Sequence, residues 1–151
     1  MIELLKTYKV TCAVFDAAPE RNLIAEIKDA MPDVVWSCEY SSSDKTKNEM
    51  ALDEDTHVVS VNRTWSLDAM VGQVKRKKLY LPMEAESIEG GEYYDQMMAP
   101  TRMLIKNEKG EERYVWEEGS QDDHFFHAEN YDYIASKVVE NQYGEPYIRT
   151  V

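Results

Sequence analysis

A continuous apolar run and a second strand-like run enclose a segment with helical spacing in the N-terminal part of the sequence. The run VTCAVF at 10–15 is typical of a strand buried on both faces of a largely parallel sheet. The run VVWSCEY at 34–40 predicts a second strand. Between them, residues 20–31 follow Pro19 and place three apolar side chains at helical spacing: Leu23, Ile27 and Ala30. Residues 10–40 therefore predict a strand–helix–strand unit.

Shorter elements flank this unit on both sides. ELLKTYK at 3–9 predicts a short helix with three apolar contacts: Leu4, Leu5 and Tyr8. Residues 41–56 are polar and predict a surface loop, and HVVSV at 57–61 predicts a short strand. Helical spacing returns at 63–78, where one stripe holds four apolar side chains: Leu67, Met70, Val71 and Val74. LYLP at 79–82 predicts a short strand that closes this part of the chain.

The C-terminal part adds an antiparallel pair and a long helix. Residues 84–99 are irregular, and RMLIK and EERYVW predict two strands joined by a turn. A closing helix is predicted from about Asp123 to Glu140, and residues 141–151 are expected to form a loosely held tail. The pattern as a whole predicts an α/β fold with an antiparallel portion, organised as one domain over residues 1–151.

Composition limits the classes of protein to which the chain can belong. With 43% hydrophobic and 30% charged residues, it has the composition of a globular domain. The net charge of −12 argues against a broad nucleic-acid-binding surface, although bound cations can reverse the field in a local groove. No apolar run reaches the ~18 residues that cross a bilayer, and the N-terminus lacks the pattern of a signal peptide. We therefore expect a cytoplasmic protein with no membrane partner, in which Cys12 and Cys38 are buried free thiols.

Asp16 lies at the carboxyl end of the strand predicted at 10–15. Ligands of open α/β sheets bind at that edge, so Asp16 is a candidate functional carboxylate. The same position suits an aspartate that caps the following helix by accepting bonds from backbone N–H groups. Both interpretations remain open from the sequence.

A pair of aspartates opens the closing helix. At about 100° per residue, Asp123 lines up with Asn130 and Ile134 near the apolar stripe, whereas Asp122 lines up with a more polar face. Asp123 is therefore expected to point inward and Asp122 outward. An inward carboxylate needs a partner, because an unpaired buried charge is very costly. Helix capping and a bound metal ion both supply one, and the sequence does not decide between them.

The histidines and the basic run each allow a structural and a functional interpretation. His124 and His127 lie three residues apart, but without clustered cysteines their spacing favours packed aromatic rings over a zinc site. The run KRKK at 75–78 ends a predicted helix, where cations offset the helix dipole. The four residues of this run are also candidate contacts to a phosphate backbone: Lys75, Arg76, Lys77 and Lys78. Arg63, at the opposite end of the same predicted helix, is a further candidate.

Three segments, taken in order, resemble the nuclease domain of tailed-phage large terminase subunits. They lie at 10–40, 60–82 and 121–136 and cover most of the elements described above. The resemblance implies an RNase H-like fold, shared with RuvC-type resolvases, with a mixed sheet and flanking helices. It implies a Mg²⁺- or Mn²⁺-dependent endonuclease that cuts concatemeric double-stranded DNA during genome packaging. A phage or prophage protein in the bacterial cytoplasm is then expected.

Carried onto this sequence, the resemblance assigns catalytic and metal-binding roles to two acids. The strand-end acid of the family falls on Asp16 in VFDAAPE, and its last acid falls on Asp123 in DDHFFHA. Asp122 is assigned an assisting role at the metal. The resemblance therefore selects the same member of the aspartate pair as the helical-wheel argument.

The sequence departs from the family pattern at its N-terminal end. The first catalytic aspartate of the family has no counterpart before Asp16, and no glycine-rich phosphate-binding loop of the ATPase motor occurs. We therefore expect an N-terminally truncated RNase H-like domain with weak metal binding and little or no cleavage when alone. The expected partners besides double-stranded DNA are a chain that carries the ATPase and the first strand, or a second copy in a homodimer. The alternative is a non-catalytic remnant or a docking module that completes such a partner.

Overall fold

The structure, a computed structural model, describes residues 1–18, 20–41, 49–79, 91–106 and 109–144. Its elements in chain order are α1 (Ile2–Thr7), β1 (Ala13–Asp16), α2 (Arg21–Ala30), β2 (Val35–Ser41), β3 (Met50–Asp53), β4 (Val58–Asn62), α3 (Arg63–Lys75), α4 (Glu92–Met98), β5 (Thr101–Lys106), β6 (Glu112–Glu117) and α5 (His124–Tyr143). They divide into two compact units. The first unit holds the residues up to Ser66 and those from Tyr131 onward, and the second holds Leu67–Asn130.

A mixed four-stranded sheet forms the centre of the first unit. Its order is β1-β2-β4-β3, with β1, β2 and β4 parallel and β3 antiparallel to β4. The prediction of an α/β fold with a largely parallel sheet is confirmed by the parallel pairing of β1, β2 and β4. Strands β1 and β3 are the outer strands of this sheet. Because β1 and β2 are parallel neighbours, their carboxyl ends lie at the same edge.

The two faces of the sheet carry two separate apolar clusters. Successive strand residues point to opposite faces, so Trp36 and Cys38 of β2 lie on one face and Val35 lies on the other. On the first face the strands pack against α5 through fully or nearly buried side chains: Val14, Trp36, Cys38, Val59, Val61, Ile134, Ala135 and Val138. On the second face Val35 packs with Leu5 of α1 and Ile27 of α2.

Each N-terminal helix buries only one of its three expected apolar contacts: Leu5 in α1 and Ile27 in α2, whereas Ala30 of α2 is exposed. Leu23 is 48% exposed, and the neighbouring Ile24 is buried in its place. In α1, Leu5 is buried whereas Leu4 and Tyr8 are exposed. Ile24 and Ile27 also fit a helical stripe and are both buried, and Ile27 packs with Val35 of β2.

Strand β4 continues into helix α3 without an intervening residue. The strand ends at Asn62 and the helix begins at Arg63. Asn62 Oδ1 accepts a hydrogen bond of 3.0 Å from the backbone N–H of Trp65, which satisfies one of the free amide groups at the start of the helix. Within α3, Leu67 and Met70 are buried as predicted, but Val74 is 40% exposed.

The second unit contains the predicted hairpin and a helix that the pattern did not predict. Strands β5 and β6 pair antiparallel from Thr101↔Glu117 to Lys106↔Glu112, which confirms the two strands joined by a turn. Helix α4 lies inside the stretch predicted to be irregular, and its Tyr93 is buried. In the first unit, β3 lies inside the predicted surface loop, so these two expectations were wrong.

Some predicted elements fall wholly or partly outside the described residues. The strand predicted at 79–82 is described only at Leu79, which is not in a strand. Helix α5 runs from His124 to Tyr143, slightly beyond the predicted Glu140. Residues 145–151 of the predicted tail lie outside the described part of the chain.

Replacing Gly119 with alanine is expected to destabilise the second unit. A Cβ at Gly119 would lie 2.7 Å from the backbone oxygen of Ala99, a contact that only a backbone shift can relieve. We expect the free energy of unfolding to fall by about 1–3 kcal/mol in urea denaturation. Gly72→Ala is the matched control, because its added methyl meets only the flexible end of Arg76 inside a helix. That control should be neutral or up to about 1 kcal/mol more stable, and equal midpoints for both variants would contradict the prediction.

Candidate functional site

Asp16 ends β1 and is held in a local turn. Its side chain is exposed, and Oδ1 accepts a hydrogen bond of 3.0 Å from the backbone N–H of Ala18. Helix α2 begins later, at Arg21, and its N-cap residue Glu20 makes no side-chain capping bond. The capping interpretation is therefore wrong in its original form. Asp16 stabilises the turn after the strand, in the manner of aspartates that bond the backbone two residues on.

Tyr131 lies beside Asp16 at the carboxyl end of β1, and Tyr40 stacks on Tyr131. The rings of Tyr40, from the end of β2, and Tyr131, from α5, stack with centroids 5.8 Å apart. Burial raises the pKa of the Tyr131 hydroxyl, and the neighbouring Tyr40 hydroxyl and Asp16 carboxylate raise it further. Tyr131 therefore stays protonated and can donate a hydrogen bond to these neighbours. The strand-end position of Tyr40 was visible in the sequence, whereas the approach of Tyr131 depends on how α5 packs.

Asp123 points inward, as the helical wheel predicted. Its side chain is 15% exposed, whereas neighbouring Asp122 is exposed. Its carboxylate oxygen Oδ2 is fully buried and, among the described residues, has no hydrogen-bond partner. The backbone carbonyl of Asp123 accepts a bond of 3.1 Å from the N–H of His127, so Asp123 is the residue that precedes the first turn of α5.

Another residue caps that first turn. The backbone N–H of Phe125 donates a hydrogen bond of 3.0 Å to Oε1 of Gln96, which lies on α4. Gln96 thus takes the role that the capping interpretation had assigned to the Asp123 side chain. A buried carboxylate oxygen without a hydrogen bond is costly, and the contact that Asp123 Oδ2 makes is an ion pair with His127.

The two histidines of α5 have different surroundings. His127 is half-buried, its ring meets Phe126 edge-on at a centroid distance of 6.0 Å, and its Nε2 lies 3.4 Å from Asp123 Oδ2. His124 is exposed. The expectation that both rings are packed is therefore confirmed for His127 and wrong for His124.

Aspartate is a residue type that divalent cations use as a ligand. Carboxylate oxygens are the preferred ligands of Mg²⁺ and Mn²⁺, and Mg²⁺ commonly takes only one or two protein carboxylates and completes its shell with water or substrate phosphates. Asp16 belongs to the first unit, and Asp122 and Asp123 belong to the second. Among the described residues there is no group of three or more His, Cys, Asp or Glu side chains that could hold a metal ion.

The cysteines are protonated thiols at neutral pH. Both are free; Cys38 is buried, and Cys12 is half-buried. Burial, with Asp16 and Glu39 nearby, raises the pKa of Cys38 to about 12. Burial, with Asp132 nearby, raises the pKa of Cys12 to about 11. Because the thiolate is the metal ligand and the nucleophile, neither group is suited to those roles.

The basic run at the end of α3 forms the C-terminal cap of the helix through its backbone, and its side chains are exposed to solvent. The backbone N–H of Lys77 bonds to the carbonyl of Val74, and that of Lys78 bonds to the carbonyl of Gln73, which together form a Schellman cap. Lys77 has a φ of +55°, the left-handed position where glycine is usual. All four basic side chains, Lys75, Arg76, Lys77 and Lys78, are exposed. Arg63, at the start of the same helix, is half-buried.

Comparisons with known proteins do not assign the chain to a family. No protein-family model, curated protein or solved structure matches it. The resemblance to terminase nucleases therefore depends on the three sequence segments alone. Within the described ranges, no helix has the length and apolar character needed to span a membrane.

Proposed function

We propose that the chain is a divergent RNase H-like nuclease domain of the kind found in phage terminase large subunits. In this proposal Asp16 and Asp123 hold Mg²⁺ or Mn²⁺, Asp122 assists, and double-stranded DNA is the substrate. The observation that carries it is the buried Asp123 oxygen without a hydrogen-bond partner at the start of α5. The strand-end position of Asp16, at the edge where open α/β sheets bind ligands, supports it independently.

The side chains around each acid would fix its orientation for this chemistry. The Ala18 amide and the Tyr131 hydroxyl constrain the Asp16 carboxylate, and the start of α5 fixes the position of Asp123. When bound, divalent cations make a water molecule nucleophilic and neutralise charge on the scissile phosphate and the leaving oxygen. The acids would place such cations, and the exposed basic residues at the end of α3 would contact the DNA backbone.

The free edge of β1 favours a second candidate function. Among the described strands, β1 pairs only with β2. The backbone N–H groups of Ala13 and Ala17 bond to the carbonyls of Val34 and Cys38, so by strand alternation those of Val14 and Asp16 face the other side. A strand from a partner chain or from a second copy could pair there and bring another acid next to Asp16. The chain would then be a docking module that becomes an enzyme only in such a complex.

DNA binding that depends on a divalent cation tests the proposal. We expect fluorescence anisotropy with a duplex oligonucleotide to show binding in Mn²⁺ that EDTA weakens. Asp16→Ala should reduce the effect of Mn²⁺, and Lys77→Gly should lower affinity and reduce the salt slope by about one. Lys77→Gly also relieves a left-handed backbone, so the free energy of unfolding should not fall.

The matched control is Lys9→Gly. Lys9 is also exposed, has a φ of +50° and ends a helix with the same pair of backbone bonds, but it lies outside the basic run. The control should leave DNA affinity unchanged. DNA binding that is absent, or that is indifferent to both Mn²⁺ and Lys77, would contradict the proposed function. Plasmid nicking separates the two candidates: robust Mn²⁺-dependent nicking by the chain alone would exclude the docking module.

A further inference from the structure

His127 lies one helical turn after Asp123 and directs its ring to the same point. Residues four apart share one face of a helix, and here Nε2 of His127 is 3.4 Å from Asp123 Oδ2. That separation exceeds the range of about 2.7–3.2 Å for an N–H···O hydrogen bond. The two atoms are therefore adjacent, but the carboxylate oxygen is not satisfied by the ring.

We infer that His127 Nε2 and Asp123 Oδ2 bind one divalent cation together, which deepens the proposed function and depends on its cation-binding part. Protein ligands of this kind lie about 2.0–2.2 Å from a metal ion, so two donors 3.4 Å apart reach a common cation. Oδ2 itself is buried, although the two side chains as a whole keep exposed fractions of 19% and 15%. Water or a DNA phosphate completes the coordination shell.

The nitrogen donor determines which cation the pair prefers. Carboxylates alone suit the hard ions Mg²⁺ and Ca²⁺, whereas imidazole favours later transition metals. A mixed pair therefore binds Co²⁺ and Mn²⁺ more tightly than Mg²⁺. The spacing of three between His124 and His127 suggested no metal site, but the structure pairs His127 with Asp123 at a spacing of four and leaves His124 exposed.

Isothermal titration of the full chain with Mn²⁺ tests the pair, and the chain offers a matched control for each member. Asp123→Asn and His127→Gln are expected to weaken Mn²⁺ binding about tenfold or more. Loss of a residue that only hydrogen-bonds to a metal ligand already lowers metal affinity by about that factor. Asp29→Asn and His124→Gln change the same residue types at exposed positions outside the pair. These controls should bind Mn²⁺ as the unmodified chain does. Mg²⁺ competition should be more effective in His127→Gln, because that variant keeps only the carboxylate.

A measurement on the unmodified chain removes dependence on the folding of the variants. The sequence contains three histidines, so their ring resonances can be assigned individually by NMR. Substoichiometric Mn²⁺ should broaden the His127 resonances before those of His124 and His57, because paramagnetic broadening falls steeply with distance.

The outcomes separate this inference from the proposed function. If Asp123→Asn loses Mn²⁺ binding but His127→Gln does not, or if the His127 ring is not the first to broaden, the inference is overturned and the cation site of the proposed function stands. If the unmodified chain shows no saturable Mn²⁺ binding, or if Asp123→Asn binds as tightly, both the inference and the cation-binding part of the proposed function are overturned.

Discussion

Replacing Trp36 with alanine is expected to lower the free energy of unfolding by about 3–5 kcal/mol. The indole is 1% exposed and packs on the α5 side of the sheet, and its ring stacks on His57 with centroids 4.6 Å apart. Removing it deletes the largest fully buried side chain of the described protein and leaves a cavity between the sheet and α5. Because a domain of this size is stable by only about 5–15 kcal/mol, a large share of that stability would be lost.

Urea denaturation followed by circular dichroism measures this change. Trp36→Phe keeps an aromatic ring and should cost clearly less than Trp36→Ala. Leu23→Ala is a control for the corrected face of α2: Leu23 is 48% exposed, so its truncation should change the free energy of unfolding by less than about 1 kcal/mol. A cost for Leu23→Ala as large as that for Trp36→Ala would mean that the described core is wrong.

Replacing Asp68 is expected to have the second largest effect, because this carboxylate joins α3 to the hairpin. Arg102 donates from Nε to Oδ1 at 2.7 Å and from its terminal nitrogen to Oδ2 at 2.8 Å, and Trp116 Nε1 donates to Oδ1 at 2.9 Å. The Arg102 guanidinium also lies 3.8 Å over the ring of Tyr114. These contacts connect α3 with both strands of a two-stranded sheet that would be marginal alone.

We expect Asp68→Ala to lower the free energy of unfolding by about 2 kcal/mol. Hydrogen bonds to charged groups contribute about 1.5–3 kcal/mol each, but solvent screens this pair, since 37% of the Arg102 side chain and 35% of the Asp68 side chain are exposed. A double-mutant cycle with Arg102→Met isolates the ion pair from the bond to Trp116. Strictly additive effects of the two substitutions would show that the pair does not stabilise the protein.

The contribution of Asp68 should depend on pH in a defined direction. Burial alone would raise the pKa of this carboxyl, but the hydrogen bonds from Arg102 and Trp116 and the charges of Arg102 and Lys75 outweigh it and hold the pKa below 3.8. A carboxyl with a lowered folded-state pKa stabilises the protein above its unfolded-state pKa, and that contribution is lost as the pH falls through the folded-state value. The difference between the protein and Asp68→Asn should therefore be constant from pH 7 to about 5 and shrink below about 4. A difference that grows on acidification would contradict the assignment.

Local patterns predicted the strands that contain buried residues. Strand β2 is buried over its first four residues, β1 buries Val14, β4 buries alternate residues, and each lies in a largely apolar run that is visible without knowledge of the partner strand. The pattern does not predict strand β3 because MALD is short and lies within a polar stretch. Its pairing with β4 depends on tertiary structure. The pattern does not predict helix α4 because the helix is short and its N-cap residue, Gly91, has no side chain that could mark the start of a helix.

The candidate site was predictable to the extent that helix geometry alone decides it. Helical periodicity separated Asp123 from Asp122, since both positions belong to one rigid helix. It could not reveal that Gln96 of α4 caps α5, because that bond joins residues 29 positions apart. Asp123 and His127 are four residues apart, which places them on one helical face, but the sequence does not determine the side-chain conformations that bring the two groups together.

The absence of a linker between β4 and α3 limits how this chain can change in length. One inserted residue between Asn62 and Arg63 would rotate every position of the helix by about 100° about its axis. Leu67 and Met70 would leave their buried positions, and Asp68 would turn away from Arg102. This junction should therefore accept substitutions but reject insertions and deletions. In a scan of single-residue insertions and deletions with a solubility reporter, the reporter signal should be lowest at this junction.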